Sequence, residues 1–121
     1  MRSRFLALAA AAALSACGRT PFPTLEAQLG GLRGQPVAAA IEKLGAPDSQ
    51  SATAAEKVYV WSTETAAASV DASIGLRCAV RVFADRDGRI ARYDFDGNVG
   101  GCARYAHLLD KSFRLVNWPA E

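Results

Sequence analysis

Apolar positions fill residues 5 to 16 apart from Ser15, and after that they recur at helical or strand spacing. Leu25, Leu29 and Leu32 fall on one face of a helix, but Gly30, Gly31 and Gly34 weaken helix propensity beyond the first turn or two. A short helix followed by a turn is expected there, preceded by an extended tether in which Pro21 and Pro23 bracket Phe22. The next helix is more sharply delimited. Pro36 suits its first position, Val37, Ala40, Ile41 and Leu44 form an apolar stripe, Gly45 suits a C-cap, and Pro47 forbids continuation.

Strand signals follow. Val58-Tyr59-Val60-Trp61 is β-branched and aromatic, with the valines on one face and the aromatics on the other. Residues 77–83 alternate, placing Cys78, Val80 and Val82 on one side and Arg77 and Arg81 on the other. Asp85-Arg86-Asp87-Gly88 supplies turn chemistry, so residues 90–95 read as the returning strand of a hairpin, with Tyr93 and Phe95 on one face. Residues 62–75, rich in Ala, Ser and Thr, either extend the flanking strands or form a loop. After a Gly-rich turn, residues 102–109 read as a short helix, and the tail brings Phe113, Leu115, Val116 and Trp118. The order predicts an α+β domain over residues 25–112, with two N-terminal helices on a three-stranded antiparallel sheet, a short C-terminal helix, and a tail at 113–121.

The N-terminal apolar run changes how the other numbers are read. Arg2 and Arg4 precede it, and twelve helical residues rise only about 18 Å, too little to cross a hydrocarbon core of roughly 30 Å. Leu14-Ser15-Ala16-Cys17 closes the run and resembles the lipobox of bacterial lipoprotein signals. That resemblance implies a signal peptide at 1–16, cleavage before Cys17, and acylation of the Cys17 sulfur and new amino group; residues 17–24 then form the lipidated N-terminus and tether. Each buried methylene contributes about 0.8 kcal/mol, and two or more chains make anchoring stable. Gly18 and Arg19 follow the cysteine with no aspartate of the type that retains many lipoproteins in the inner membrane. The expected location is therefore the outer membrane of a Gram-negative bacterium, with the domain facing the periplasm.

Loss of the leader also removes Arg2 and Arg4 from the formal net charge of +2, leaving twelve Lys/Arg against twelve Asp/Glu. No clustered basic surplus remains for phosphate recognition, which argues against nucleic-acid binding. With Cys17 taken by lipid, Cys78 and Cys102 form an even pair in an oxidising compartment, the condition for a structural disulfide. Closing a loop of about 25 residues contributes roughly 3 kcal/mol in the chain-entropy account. A redox pair would place the cysteines close together, as in Cys-x-x-Cys.

Other chemistry is sparse. Asp85, Asp87, Gly88, Ile90 and Asp94 fall at EF-hand-like positions, but Phe83 stands where the first carboxylate belongs and the bidentate glutamate is missing. His107 is the sole histidine, so a multi-histidine zinc site is excluded and no metal or cofactor is expected. Gly30-Gly31-Leu32-Arg33-Gly34 lacks the Lys-Ser/Thr ending of a phosphate loop, and no serine lies in a Gly-x-Ser-x-Gly context. A non-enzymatic protein is the expectation.

Leu32, Gly34, Val37, Ile41, Leu44-Gly45-Ala46-Pro47 and Val58-Tyr59-Val60-Trp61 resemble the pattern of the BamE (SmpA/OmlA-like) lipoprotein family over about residues 25–95. The resemblance implies two helices on a three-stranded antiparallel sheet, an arrangement shared with the β-lactamase inhibitor protein; the best-known members of the family are accessory subunits of the outer-membrane protein assembly machine. Cys78, Cys102 and the Gly100-Gly101-Cys102-Ala103-Arg104-Tyr105 stretch depart from that pattern. The function expected is a protein-binding or scaffolding module of the cell envelope, in outer-membrane assembly or maintenance, with an envelope or periplasmic protein as partner. The alternative is an inhibitor or regulator of a periplasmic enzyme. Tyr59 and Trp61, if exposed, and residues 62–75 are the candidate contact surfaces. Replacing Cys17 with Ser is expected to abolish membrane fractionation and slow leader processing; unchanged membrane association would overturn the anchor.

Overall fold

Proline lacks only a donor that the first turn of a helix does not need, so it can open a helix as readily as it blocks one. In the computed structural model, which describes residues 20–66 and 75–115, Pro21 and Pro23 do this. Helix α1 spans Phe22–Leu32, starting three residues before the expected Leu25, and Leu25 N–H donates to the Pro21 carbonyl at 2.9 Å. Residues 21–24 are therefore helix entry rather than tether. Gly30 and Gly31 do not cut α1 short, because Leu25, Leu29 and Leu32 are all buried along one side and their burial outweighs the glycine propensity cost of about 1 kcal/mol each.

Helix α2 spans Val37–Leu44, with Pro36 at the N-cap rather than the first helical position. It ends at Gly45, whose φ of 86° is open to glycine at little cost. Strand β1, Ser49–Ala52, has no counterpart in the sequence reading: its four residues are all exposed and show no alternation. Tertiary pairing forms it. Its residues pair antiparallel with 57–60, while Thr53 Oγ1 accepts from the N–H groups of Ala55 and Glu56 and closes the turn.

Strands β2 (Lys57–Ala66), β3 (Gly75–Ala84) and β4 (Ile90–Gly97) complete a four-stranded antiparallel sheet in the order β1-β2-β3-β4, where three strands were expected. Residues 62–66 prolong β2, and of the rest of the expected connection, 67–74 lie outside the described residues. The β3–β4 hairpin is present, turning through Gly88 at φ 77°. Register places Tyr59, Trp61 and Thr63 beside Val82, Val80 and Cys78, and these beside Tyr93, Phe95 and Gly97, all on one face.

Helix α3 spans Val99–Leu109, as long as α1 and three residues longer at its start than expected. It is not an appendage to two N-terminal helices on a sheet. Its main contacts are with β3 and β4 on one side and with α1 and α2 on the other, so it forms the centre of the helical layer. Gly101, Cys102, Ala103 and Ala106 are buried, and their small side chains bring the α3 backbone close to the strands. The core lies between the layers around Trp61, Val80, Val82, Leu25 and Leu29. Trp61 Nε1 donates to the Gly45 carbonyl at 2.8 Å, tying the α2 C-cap to β2. Phe113, expected to begin a separate tail, is buried in the core, and His107 Nδ1 lies 2.9 Å from its carbonyl.

The glycines of the two helices have opposite roles. A Cβ on Gly101 would lie 2.3 Å from the Arg77 carbonyl oxygen, whereas one on Gly31 would meet nothing within 4 Å. Gly101→Ala is expected to destabilise by about 1–3 kcal/mol through overpacking. Gly31→Ala is expected to stabilise by about 0.5–1 kcal/mol. Urea unfolding midpoints of the two variants check both signs.

Candidate functional site

Of the residues singled out in the sequence, Cys17 lies outside the described region. Tyr59 and Trp61 do not meet the condition of exposure: they are 8% and 1% exposed, packed between the sheet and the helices, and neither offers a contact surface. The register explains why. Both alternate onto the face that α3 covers, leaving Val58 and Val60 on the opposite face.

Cys78 and Cys102 join β3 to the first turn of α3, with their sulfurs 2.00 Å apart. The Gly-rich turn accounts for this proximity. A Cβ on Gly97 would lie 2.4 Å from the Arg77 carbonyl oxygen and 2.8 Å from the Cys102 sulfur, so only glycine lets the chain fold back this tightly. Asn98 organises the same junction. Its Oδ1 accepts from Gly101 N–H at 2.9 Å as the N-cap of α3, and its Nδ2 donates to the Gly75 carbonyl at 2.6 Å. An asparagine preceding a helical pattern is a capping signal, and it places the start of α3 ahead of the expected residue 102.

No described helix covers the second face of the sheet. By register it presents Val58, Phe83 and Arg92 in one row, Val60, Arg81 and Asp94 in the next, and Ser62, Ala79 and Asp96 in a third. The Arg92 guanidinium lies 3.6 Å from the centroid of Phe83 and donates to Glu56 at 2.8 Å, while Arg81 pairs with Asp94. Val58, Val60 and Phe83 are half-buried. The outcome is an apolar strip rimmed by charges that are already paired, a surface cheaper to desolvate than free charges would be.

Beside the outer edge of β4 lies an open groove of about 420 Å³, lined by Glu26 of α1, by Arg33 at its C-cap and by Arg92, Tyr93, Asp94 and Phe95. Tyr93 crosses it. Its hydroxyl donates to the Glu26 carboxylate at 2.7 Å, and Phe22 stacks on Phe95 with ring centroids 6.2 Å apart. Asp85, considered as a calcium ligand, spends its carboxylate on the hairpin turn, accepting from Asp87 and Arg89 N–H groups. Among the described residues no group of three or more His, Cys, Asp or Glu is placed to hold a metal ion, and no helix is long and apolar enough to cross a membrane.

The bond to Glu26, then burial and the negative charge of Glu26, hold the Tyr93 phenol above its ordinary value of 10.0, against a smaller lowering by Arg33. The folded state thus keeps this proton more tightly than the unfolded chain does. The linked stability is fully present below about pH 10 and is lost as pH rises through the folded value. In an ultraviolet titration of tyrosine ionisation, the difference between the native protein and Tyr93→Phe is expected to have its midpoint above 10; a midpoint at or below that value would contradict the contact. No family model, curated protein or solved structure matches this chain.

Proposed function

We propose that the chain is a non-enzymatic lipoprotein of the cell envelope, anchored through Cys17, whose domain binds another envelope protein in outer-membrane assembly or maintenance. The observation that carries the binding role is the sheet face that no described helix covers. A solvated face of an antiparallel sheet is ordinarily polar; here Val58 and Val60 of β2 and Phe83 of β3 adjoin as half-buried apolar positions, with Arg81 beside Val60 and Arg92 over the Phe83 ring, each arginine paired with a carboxylate. An apolar centre with a paired polar rim is the anatomy of a protein interface. The lipobox-like sequence ending at Cys17 supports the location, and the resemblance to BamE-like lipoproteins supports the process.

A photo-crosslinking residue placed at Val60 or Ala79 in cells is expected to capture an envelope protein, and one at Glu42 on the exposed side of α2 is not. Recovery of outer-membrane assembly proteins from the sheet positions supports the proposal. Recovery of a single soluble periplasmic enzyme would favour the inhibitor alternative, and capture from Glu42 alone would overturn the assignment of the surface.

A further inference from the structure

The early start of α1 limits how far the domain can stand from its anchor. Pro21 is among the fully buried side chains and its carbonyl accepts the first helical bond, so the chain is held by the fold from this residue onward. Four residue steps separate it from Cys17, a reach of at most about 14 Å. Strand β3, with ten residues, is about 30 Å long. A tether so much shorter than the domain holds one particular end toward the lipid.

The topology identifies that end. Phe22 stacks on Phe95, two residues before β4 stops at Gly97, whereas the other end of α1 meets the start of β4, where Gly34 N–H donates to the Ile90 carbonyl at 2.8 Å. Helix α3 begins at Val99, directly beyond β4, so α1 and α3 both start at the tethered end. The hairpin turn containing Asp85, Arg86 and Asp87 lies at the opposite end.

The surface differs between the two ends in a way that fits this placement. Among the described residues Val99 is the exposed large hydrophobic side chain, at 39%. It lies in an uncharged run, residues 97–103, flanked by Asp96 and Arg104, and the α1 entry at residues 20–25 is uncharged as well, flanked by Arg19 and Glu26. Asn98 spends its side chain on Gly75 and Gly101, so the junction asks little of water. The distal turn, by contrast, is dense in exposed charge, with Asp85, Arg86, Asp87 and Arg89 in five residues.

We infer that the domain stands on the phospholipid surface by the end at which α1 and α3 begin, with Val99 and the β4–α3 junction against the headgroups and the charged hairpin turn pointing away. The orientation rests on the proposed lipidation of Cys17. Val99 adds only a small apolar contact, so the anchor supplies the affinity and the junction supplies the direction. One consequence is that the open sheet face stands roughly upright from the membrane, available to a neighbour held on the same surface.

The test uses the full mature protein purified from membranes and reconstituted in vesicles of phosphatidylethanolamine and phosphatidylglycerol. A genetically encoded fluorescent residue, which adds no thiol near Cys78 and Cys102, replaces Val99 or Arg86, and nitroxide-labelled headgroups act as quencher. Fluorescence at 99 is expected to be quenched several-fold more than at 86. Arg77 serves as a second proximal position if a bulky residue at 99 unsettles α3. Vesicle flotation is scored on the same samples. Protein that floats but quenches equally at both ends, or more at 86, overturns the orientation while leaving the anchor intact. Protein that does not float overturns the anchor and the orientation with it.

Discussion

The close approach of the first turn of α3 to the start of β3 is the constraint on which the rest of the structure depends. Two backbones meet where Gly97 and Gly101 leave no room for a Cβ, Asn98 satisfies donors and acceptors on both sides, and Cys78 and Cys102 join the elements covalently. In the unfolded chain that link restricts a loop of about 25 residues, a contribution of roughly 3 kcal/mol. That is a substantial part of the net stability of a domain this small.

With α3 seated on the strands, the remaining layers have little freedom. Its small buried residues let the sheet and helices close to within reach of Trp61, whose indole N–H then finds the α2 C-cap. Helix α1 packs on α3 and β4, and Tyr93 and Phe95 complete that contact through Glu26 and Phe22. The helical layer covers one face of the sheet and leaves the other with an apolar strip and paired charges. The proposed interface thus follows from where α3 sits.

The proposed anchor and the proposed interface place complementary demands on the fold. A short link between Cys17 and the buried Pro21 confines the domain near the lipid, and confinement to a surface raises the local concentration of partners held on the same membrane. A modest protein-binding strip is then sufficient for association.

The sequence by itself determined the elements whose signals are local. Alternation at 77–83 and 90–95 specified the β3–β4 hairpin and its buried side, and the residues from Pro36 to Pro47 marked α2 to within one position, because side-chain period and cap chemistry are properties of neighbouring residues. Only the tertiary structure decided the rest. Strand β1 is polar and exposed and exists because β2 offers an edge to pair with. Glycine in the first turn of α3 and at the end of α1 looks unfavourable in local terms, and becomes compatible with helix through close backbone approach in one case and burial of three leucines in the other. Whether Tyr59 and Trp61 faced a partner or the core was likewise beyond local pattern, since both faces of that strand segment carry apolar side chains and alternation then does not say which of them a distant helix will cover.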